Sequence, residues 1–325
     1  MGALDLAVGN LLSPVVLFFA LGVGAALARS DLSFPEAVAK ALAIYLMMAI
    51  GLKGGVEVSR QGLQPQLLWT VLAGAALSFL IPVLAYGLLR LISRLGPVDA
   101  AAVAAHYGSI SAVTFAAALD ALSRAGLGSE GYMVAVAAVM ETPAIMAALL
   151  IARRAAPEAA TGSVGHLLRE AGLNGSVVVL VGSFVVGWIA GPAGVKPISP
   201  LFVDLFRGLL CLFLLDMGLV AGRGLSRARR FLTAPLILFG IGMPLISAAI
   251  ATAIAAGLGL STGGAMLFIT LAASASYIAA PAAMRIALPQ AEPAIYLTLS
   301  LGVTFPFNLA IGLPLYLLLA RSVSP

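Results

Sequence analysis

The residues best placed to do chemistry in this chain are two small clusters of hydroxyls set inside long apolar runs. Ser109 and Ser111 stand in Gly108-Ser109-Ile110-Ser111-Ala112. Ser274 and Ser276 stand in Ala273-Ser274-Ala275-Ser276-Tyr277-Ile278, 165 positions further on. Small hydroxyl residues at membrane depth are wasteful unless the helix breaks there, and a matched pair of interrupted apolar segments is the sequence mark of a carrier's binding site. A helix that restarts after each pair presents unpaired N–H groups and about half a positive charge, and both favour an anion. Ser109, Ser111, Ser274 and Ser276 can cap those N–H groups or donate to a ligand, and Thr114 lies one turn further in. Gly108, Ala112, Tyr277 and Ile278 complete the two stretches and are counted with them as substrate-binding candidates. Taken singly, each serine has a plainer reading, since small residues also let membrane helices pack closely.

An ionisable residue inside an apolar run is a functional candidate by default. Lys53 closes such a run within Gly51-Leu52-Lys53-Gly54-Gly55, and it either pairs with Glu57 one turn on or serves the transport chemistry. Asp216 is either a cation ligand or the partner of an arginine such as Arg207. Glu141, beside Thr142 and Pro143, falls close to the first serine pair, and Asn308 follows Pro306 in the equivalent place of the second half. Lys53, Glu141, Thr142, Asp216 and Asn308 are therefore the candidates for coupling to an ion. His106 and Tyr107 read as packing residues. Cys211, the single cysteine, excludes an internal disulfide and reads as a buried small hydrophobe.

The elements that must carry these residues are membrane helices. The chain of 325 residues is 62% hydrophobic and 10% charged, with a mean hydropathy of +1.10. Soluble domains run at roughly 45–50% and about 25%. A crossing needs about 20 apolar residues, and ten segments qualify, near 11–29, 35–52, 66–92, 100–122, 131–152, 174–191, 201–221, 232–258, 262–287 and 293–320. Met1 to Asn10 carries Asp5 and no basic residue, so the first run is kept as a span rather than a signal peptide. The expected fold is an all-α polytopic membrane protein of ten transmembrane helices, two of them broken. Its parts are a first repeat at 1–153, a connector at 154–173 and a second repeat at 174–325.

The halves match in order. Ile50-Gly51-Leu52 echoes Met217-Gly218-Leu219, the serine pairs follow, then Glu130 and Glu292, then Pro143 and Pro306. Similarity at one fixed offset marks duplication. Five crossings per half invert the second against the first, which gives a five-plus-five inverted repeat with the two restarted helices facing each other. With the N-terminus outside, the inner side receives Arg29, Lys40, Arg90, Arg94, Arg153, Arg154, Arg169, Arg223, Arg227, Arg229, Arg230 and Arg285, twelve of the 18 basic residues. Positive charge collects on the cytoplasmic side, so both termini are expected to be extracytoplasmic. The net charge of +5 is then a topology signal and not a nucleic-acid footprint.

The stretches Gly108 to Ala118, Ala272 to Ile278, Ile50 to Gly55 and Glu141-Thr142-Pro143-Ala144, taken together, resemble the sodium-dependent bicarbonate transporter family of cyanobacteria and other bacteria, over nearly the whole chain. The resemblance implies crossed broken helices in a core domain, a second domain as scaffold, elevator-like movement and a homotrimer in the lipid of the bacterial inner membrane. It also implies bicarbonate as the transported anion and Na+ as coupling ion near Ser109 and Ser276, with no other cofactor. A PII-like cytoplasmic regulator is a further implied partner. The chain departs from cyanobacterial members at Tyr277, where they carry an Asp that helps bind cation and substrate, and its connector Arg153 to Leu173 is shorter than theirs.

Other classes fit less well. The chain has no HExxH, no Gly-x-Gly-Asp and no Cys–His pairing for an intramembrane enzyme, and a channel more often shows pore-lining rings repeated by oligomer symmetry than an internal inverted repeat with a central site. An organic-anion carrier of the bile-acid or auxin type, or a sodium-independent anion transporter, remains the nearest alternative.

Overall fold

The structure, a computed structural model, describes residues 8–62, 64–155, 175–228 and 232–324. All regular elements among the described residues are helical: α1 (Pro14–Leu27), α2 (Glu36–Gln61), α3 (Gln66–Ile92), α4 (Pro97–Gly108), α5 (Ala112–Arg124), α6 (Met133–Ala155), α7 (Gly175–Val195), α8 (Phe206–Ala228), α9 (Ala234–Leu258), α10 (Thr262–Ala273), α11 (Ala279–Ala287) and α12 (Pro293–Val323). Most of the connector at 154–173, and Arg229 and Arg230, lie outside the described residues.

Eight helical spans among the described residues are long and apolar enough to cross a membrane, with α4 and α5 together forming one of them. The first and ninth expected segments come out shorter. Helix α1 has 14 residues because Ser13 and Pro14 restart the helix there, Ser13 Oγ accepting from the Val16 N–H at 3.4 Å. Helix α10 has 12 residues and stops at the second serine pair. Helix α12 is continuous but carries π-helical stretches at Thr298–Thr304 and Asn308–Gly312, on either side of Pro306. Such bulges absorb backbone that a regular α-helix would leave out of register.

Two packing groups organise the helices. Helix α1 lies against α8, and α2 against α7. A Cβ on Gly22 would fall 2.2 Å from the Leu215 carbonyl oxygen, and one on Gly55 would fall 2.0 Å from that of Phe184. Only glycine permits these backbone approaches, the usual solution where lipid offers no hydrophobic drive between helices. The glycine-rich echoes in the second and seventh segments are therefore close-packing faces on continuous helices.

The second group places α4 between α3 and α6, and α10 beside α9 and α12. Every residue from Ala100 to Gly108 and from Gly263 to Ala273 is buried, so these two helices form the interior. Ser78 Oγ ties α3 to α6 by donating to the Met140 carbonyl. Tyr107 Oη bonds Thr304 Oγ1 at 2.6 Å, and Thr304 Oγ1 lies 2.7 Å from the Gly240 carbonyl oxygen, linking α4, α12 and α9.

Candidate anion site at the two helix breaks

Helix α4 ends at Gly108 and α5 begins at Ala112, and α10 ends at Ala273 and α11 begins at Ala279. The two interruptions lie against each other. The Ser111 N–H donates to Ser274 Oγ at 2.9 Å, and the Ser276 N–H donates to the His106 carbonyl at 2.7 Å. A helix that stops frees carbonyls and N–H groups that a buried site must satisfy, and each break supplies what the other lacks. Asn308 completes the arrangement: its Nδ2 donates to the Ala273 carbonyl at 2.9 Å, and its Oδ1 accepts from Tyr316 Oη at 2.6 Å.

The helix starts are capped by the second serine of each pair. Ser111 Oγ accepts from the Thr114 N–H at 3.2 Å, and Ser276 Oγ from the Ala280 N–H at 3.2 Å. Each hydroxyl keeps its proton for another acceptor. Ser274 has none to spare, since its Oγ accepts from Ser111 and donates to the Leu271 carbonyl at 2.9 Å. Ser109 Oγ is buried without a hydrogen-bond partner among the described residues.

A small cavity of ≈ 10 Å³ opens at the breaks, lined by Met47, Ile110, Ser111, Ala112, Glu141, Ser276, Tyr277 and Ile278. That is room for about one water-sized sphere. Of the sequence candidates the structure thus gathers Ser111, Ala112, Ser276, Tyr277, Ile278 and Glu141 around one space. Tyr277 Oη faces Ser111 without completing a hydrogen bond, and its ring packs edge-on against Phe305 at 5.3 Å. Glu141 is buried on α6.

Other candidates stand elsewhere. A Cβ on Gly108 would lie 2.3 Å from Pro82 Cγ, so this glycine serves the contact of α4 with α3. Thr114 is buried one turn inside α5, and Thr142 is half-buried next to Glu141. His106 stacks on Tyr296 at 4.5 Å with Nδ1–H donating to the Ala102 carbonyl at 2.7 Å, a packing role, and its Nε2 has no partner among the described residues. Cys211 is buried.

Two ion pairs that the sequence offers as alternatives are not formed among the described residues. Glu57 does not pair with Lys53; it accepts from Gln61 Nε2 at 2.7 Å and faces Arg60 at 3.6 Å, the neighbours at i+4 and i+3. Lys53 is exposed to a cavity of ≈ 710 Å³ between α2, α5 and the start of α6. Arg207 does not pair with Asp216; its Nε donates to Asp120 Oδ1 at 2.6 Å, while Arg124 Nε donates to Asp120 Oδ2 at 3.0 Å. Asp216 is buried on α8, away from the cavity at the breaks. Asp120 was passed over in the sequence, where Arg124 four residues on was the one available sign of it.

With this geometry in place, the comparison with known families decides the kinship. A model of the Na+-dependent bicarbonate transporter superfamily matches residues 14–321. The chain belongs to that superfamily. It is a multi-pass membrane protein of a transporter family, and the two breaks and their cavity lie within the matched span. No curated protein matches the chain.

Proposed function

We propose that the chain is a secondary active transporter of a small monovalent anion, bicarbonate, coupled to Na+, with the anion bound between the two breaks. The observation that carries this reading is the cavity lined by Ser111, Ser276, Tyr277 and Glu141, at which the N-terminal ends of α5 and α11 converge. The two helix starts, the free protons of Ser111 and Ser276 and the Tyr277 O–H are donors for an anion. The Glu141 carboxylate, which lines this cavity, supplies oxygens for a cation, and Ser109 Oγ in the first break is buried without a hydrogen-bond partner among the described residues. Glu141 then takes the part of the carboxylate that relatives carry at position 277.

In this reading the halves 1–153 and 174–325 are an inverted repeat with crossed broken helices. Several pairings support it. The α1–α8 contact has its counterpart in the α7–α2 contact. Glu130, ahead of α6, accepts from the Ser261 N–H at 2.8 Å at the start of α10, and Asp99, in the first turn of α4, accepts from the Glu292 N–H at 2.8 Å ahead of α12. Each broken helix is thus tethered by the other half at the end away from its break. Helices α1, α2, α7 and α8 form the scaffold, and the group around α4 and α10 moves against it in an elevator-like cycle. A bicarbonate ion is larger than the water that the cavity admits, so this conformation is closed over the site. The protein sits in the bacterial inner membrane as a homotrimer with both termini outside.

The test is uptake of labelled bicarbonate, acetate and taurocholate into proteoliposomes with and without a Na+ gradient. Bicarbonate uptake that rises with inward Na+ supports the assignment; taurocholate uptake in its place would move the chain to the organic-anion carriers.

A further inference from the structure

One face of α2 runs beside one face of α5 from the large cavity down to the breaks. Met47, Ile50, Lys53 and Glu57 recur every three or four residues along α2, as Ala112, Phe115, Leu119 and Ser123 do along α5, the spacing of a single helix face. Met47 and Ala112 line the small cavity at the breaks. Ile50 and Phe115 line the ≈ 710 Å³ cavity above it and are each 2% exposed, so they form an apolar floor between the two spaces. Lys53 stands one turn above Ile50 and Ser123 two turns above Phe115, and both border this cavity and an adjoining one of ≈ 300 Å³.

The charges lining these two cavities are not equivalent. Asp120 is held by Arg207 and Arg124, and Glu130 by the Ser261 N–H and Oγ at 2.8 and 2.9 Å. Glu57 is engaged by Arg60 and Gln61, and Asp204 is exposed at the smaller cavity. Of the cations, Arg207 is committed to Asp120. Lys53 has no ion pair or hydrogen bond among the described residues. An arriving anion can meet Lys53 without displacing a carboxylate.

We propose that Lys53 captures the transported anion in the cleft between α2 and α5, one turn above the Ile50–Phe115 floor, before the anion passes to the breaks. Six residues separate Lys53 from Met47, about 9 Å along the helix. Lys53 therefore acts on arrival and not as a ligand in the closed site. The inference rests on the anion-transporter reading and adds its point of capture. An unscreened charge at a cleft raises the arrival rate of its counter-ion and loses that effect in salt.

The experiment is initial-rate uptake of labelled bicarbonate by wild type, Lys53→Gln and Lys53→Arg in proteoliposomes at low and high ionic strength. The expected result is a fall of about tenfold in kcat/KM for Lys53→Gln, carried by KM, with a weaker dependence on ionic strength, and near wild-type values for Lys53→Arg. In a Cys211→Ala background, Lys53→Cys should regain kcat/KM when 2-aminoethyl methanethiosulfonate restores the positive charge. Wild-type uptake with an unchanged KM and salt dependence in Lys53→Gln would overturn this inference alone, as would equal losses of maximal rate in the Gln and Arg variants. Absence of uptake by the wild type would overturn the substrate assignment, and this inference with it.

Discussion

The backbone N–H of Ser111 donates to the hydroxyl of Ser274 at 2.9 Å across 163 residues of sequence. This bond joins the first break to the second, and it gives Ser274 the N–H-accepting role that is one of its two readings in the sequence. Ser274→Ala leaves a buried N–H without its partner, a loss of about 1–3 kcal/mol. Thermal unfolding in detergent should show a lower midpoint for Ser274→Ala and little change for Ser109→Ala, whose hydroxyl makes no hydrogen bond among the described residues. Equal midpoints for the two variants would mean that the bond between the breaks does not hold them together.

Sodium dependence tests the carboxylate at the cavity. Tyr277 brings no fixed negative charge, so Glu141 is the acidic residue lining the small cavity. Glu141→Gln should raise the Na+ concentration for half-maximal uptake by about tenfold, the equivalent of roughly 1.4 kcal/mol in binding, and Tyr277→Asp should lower it. A Na+ series on the two variants and the wild type reads this directly. An unchanged requirement in Glu141→Gln would remove Glu141 from the cation's site.

Topology is checked with introduced cysteines in a Cys211→Ala background. Ser129 lines the large cavity at the outer ends of α5 and α6 in the proposed orientation, so Ser129→Cys should react with an impermeant thiol reagent in intact cells. Ala160→Cys, in the connector assigned to the cytoplasm, should resist it. The opposite pattern would invert the orientation inferred from the loop charges.

Much of this arrangement was legible because a hydroxyl pair inside an apolar run has few uses other than a break. Neighbours of the breaks carry packing and capping roles that the same logic does not reveal. Gly108 reads like part of a binding loop, but its missing side chain serves the approach to Pro82, and the sequence around α3 gives no hint of that. Asn308 drew attention by its matched position, and its chemistry proved to be the capping of α10. The pairing of Lys53 with Glu57 fails because Glu57 has competing partners at i+3 and i+4, and spacing alone cannot rank them. Asp120 was illegible for another reason: its second cation, Arg207, lies 87 residues away, and only the packing of α5 against α8 brings them together.

In the proposed function the anion sits between the breaks, on hydroxyls whose protons are still free. Ser111→Ala and Ser276→Ala each remove one such donor and leave the backbone donors of α5 and α11 in place. Each should weaken binding by about 0.5–1.5 kcal/mol, or roughly threefold to tenfold. The decisive measurement is the bicarbonate concentration for half-maximal uptake in the double variant, with folding verified by size-exclusion profile and thermal unfolding. The expected result is a folded protein whose half-saturating concentration rises by roughly the product of the two single effects. A folded double variant that saturates at the wild-type concentration would contradict it and leave the breaks as packing devices.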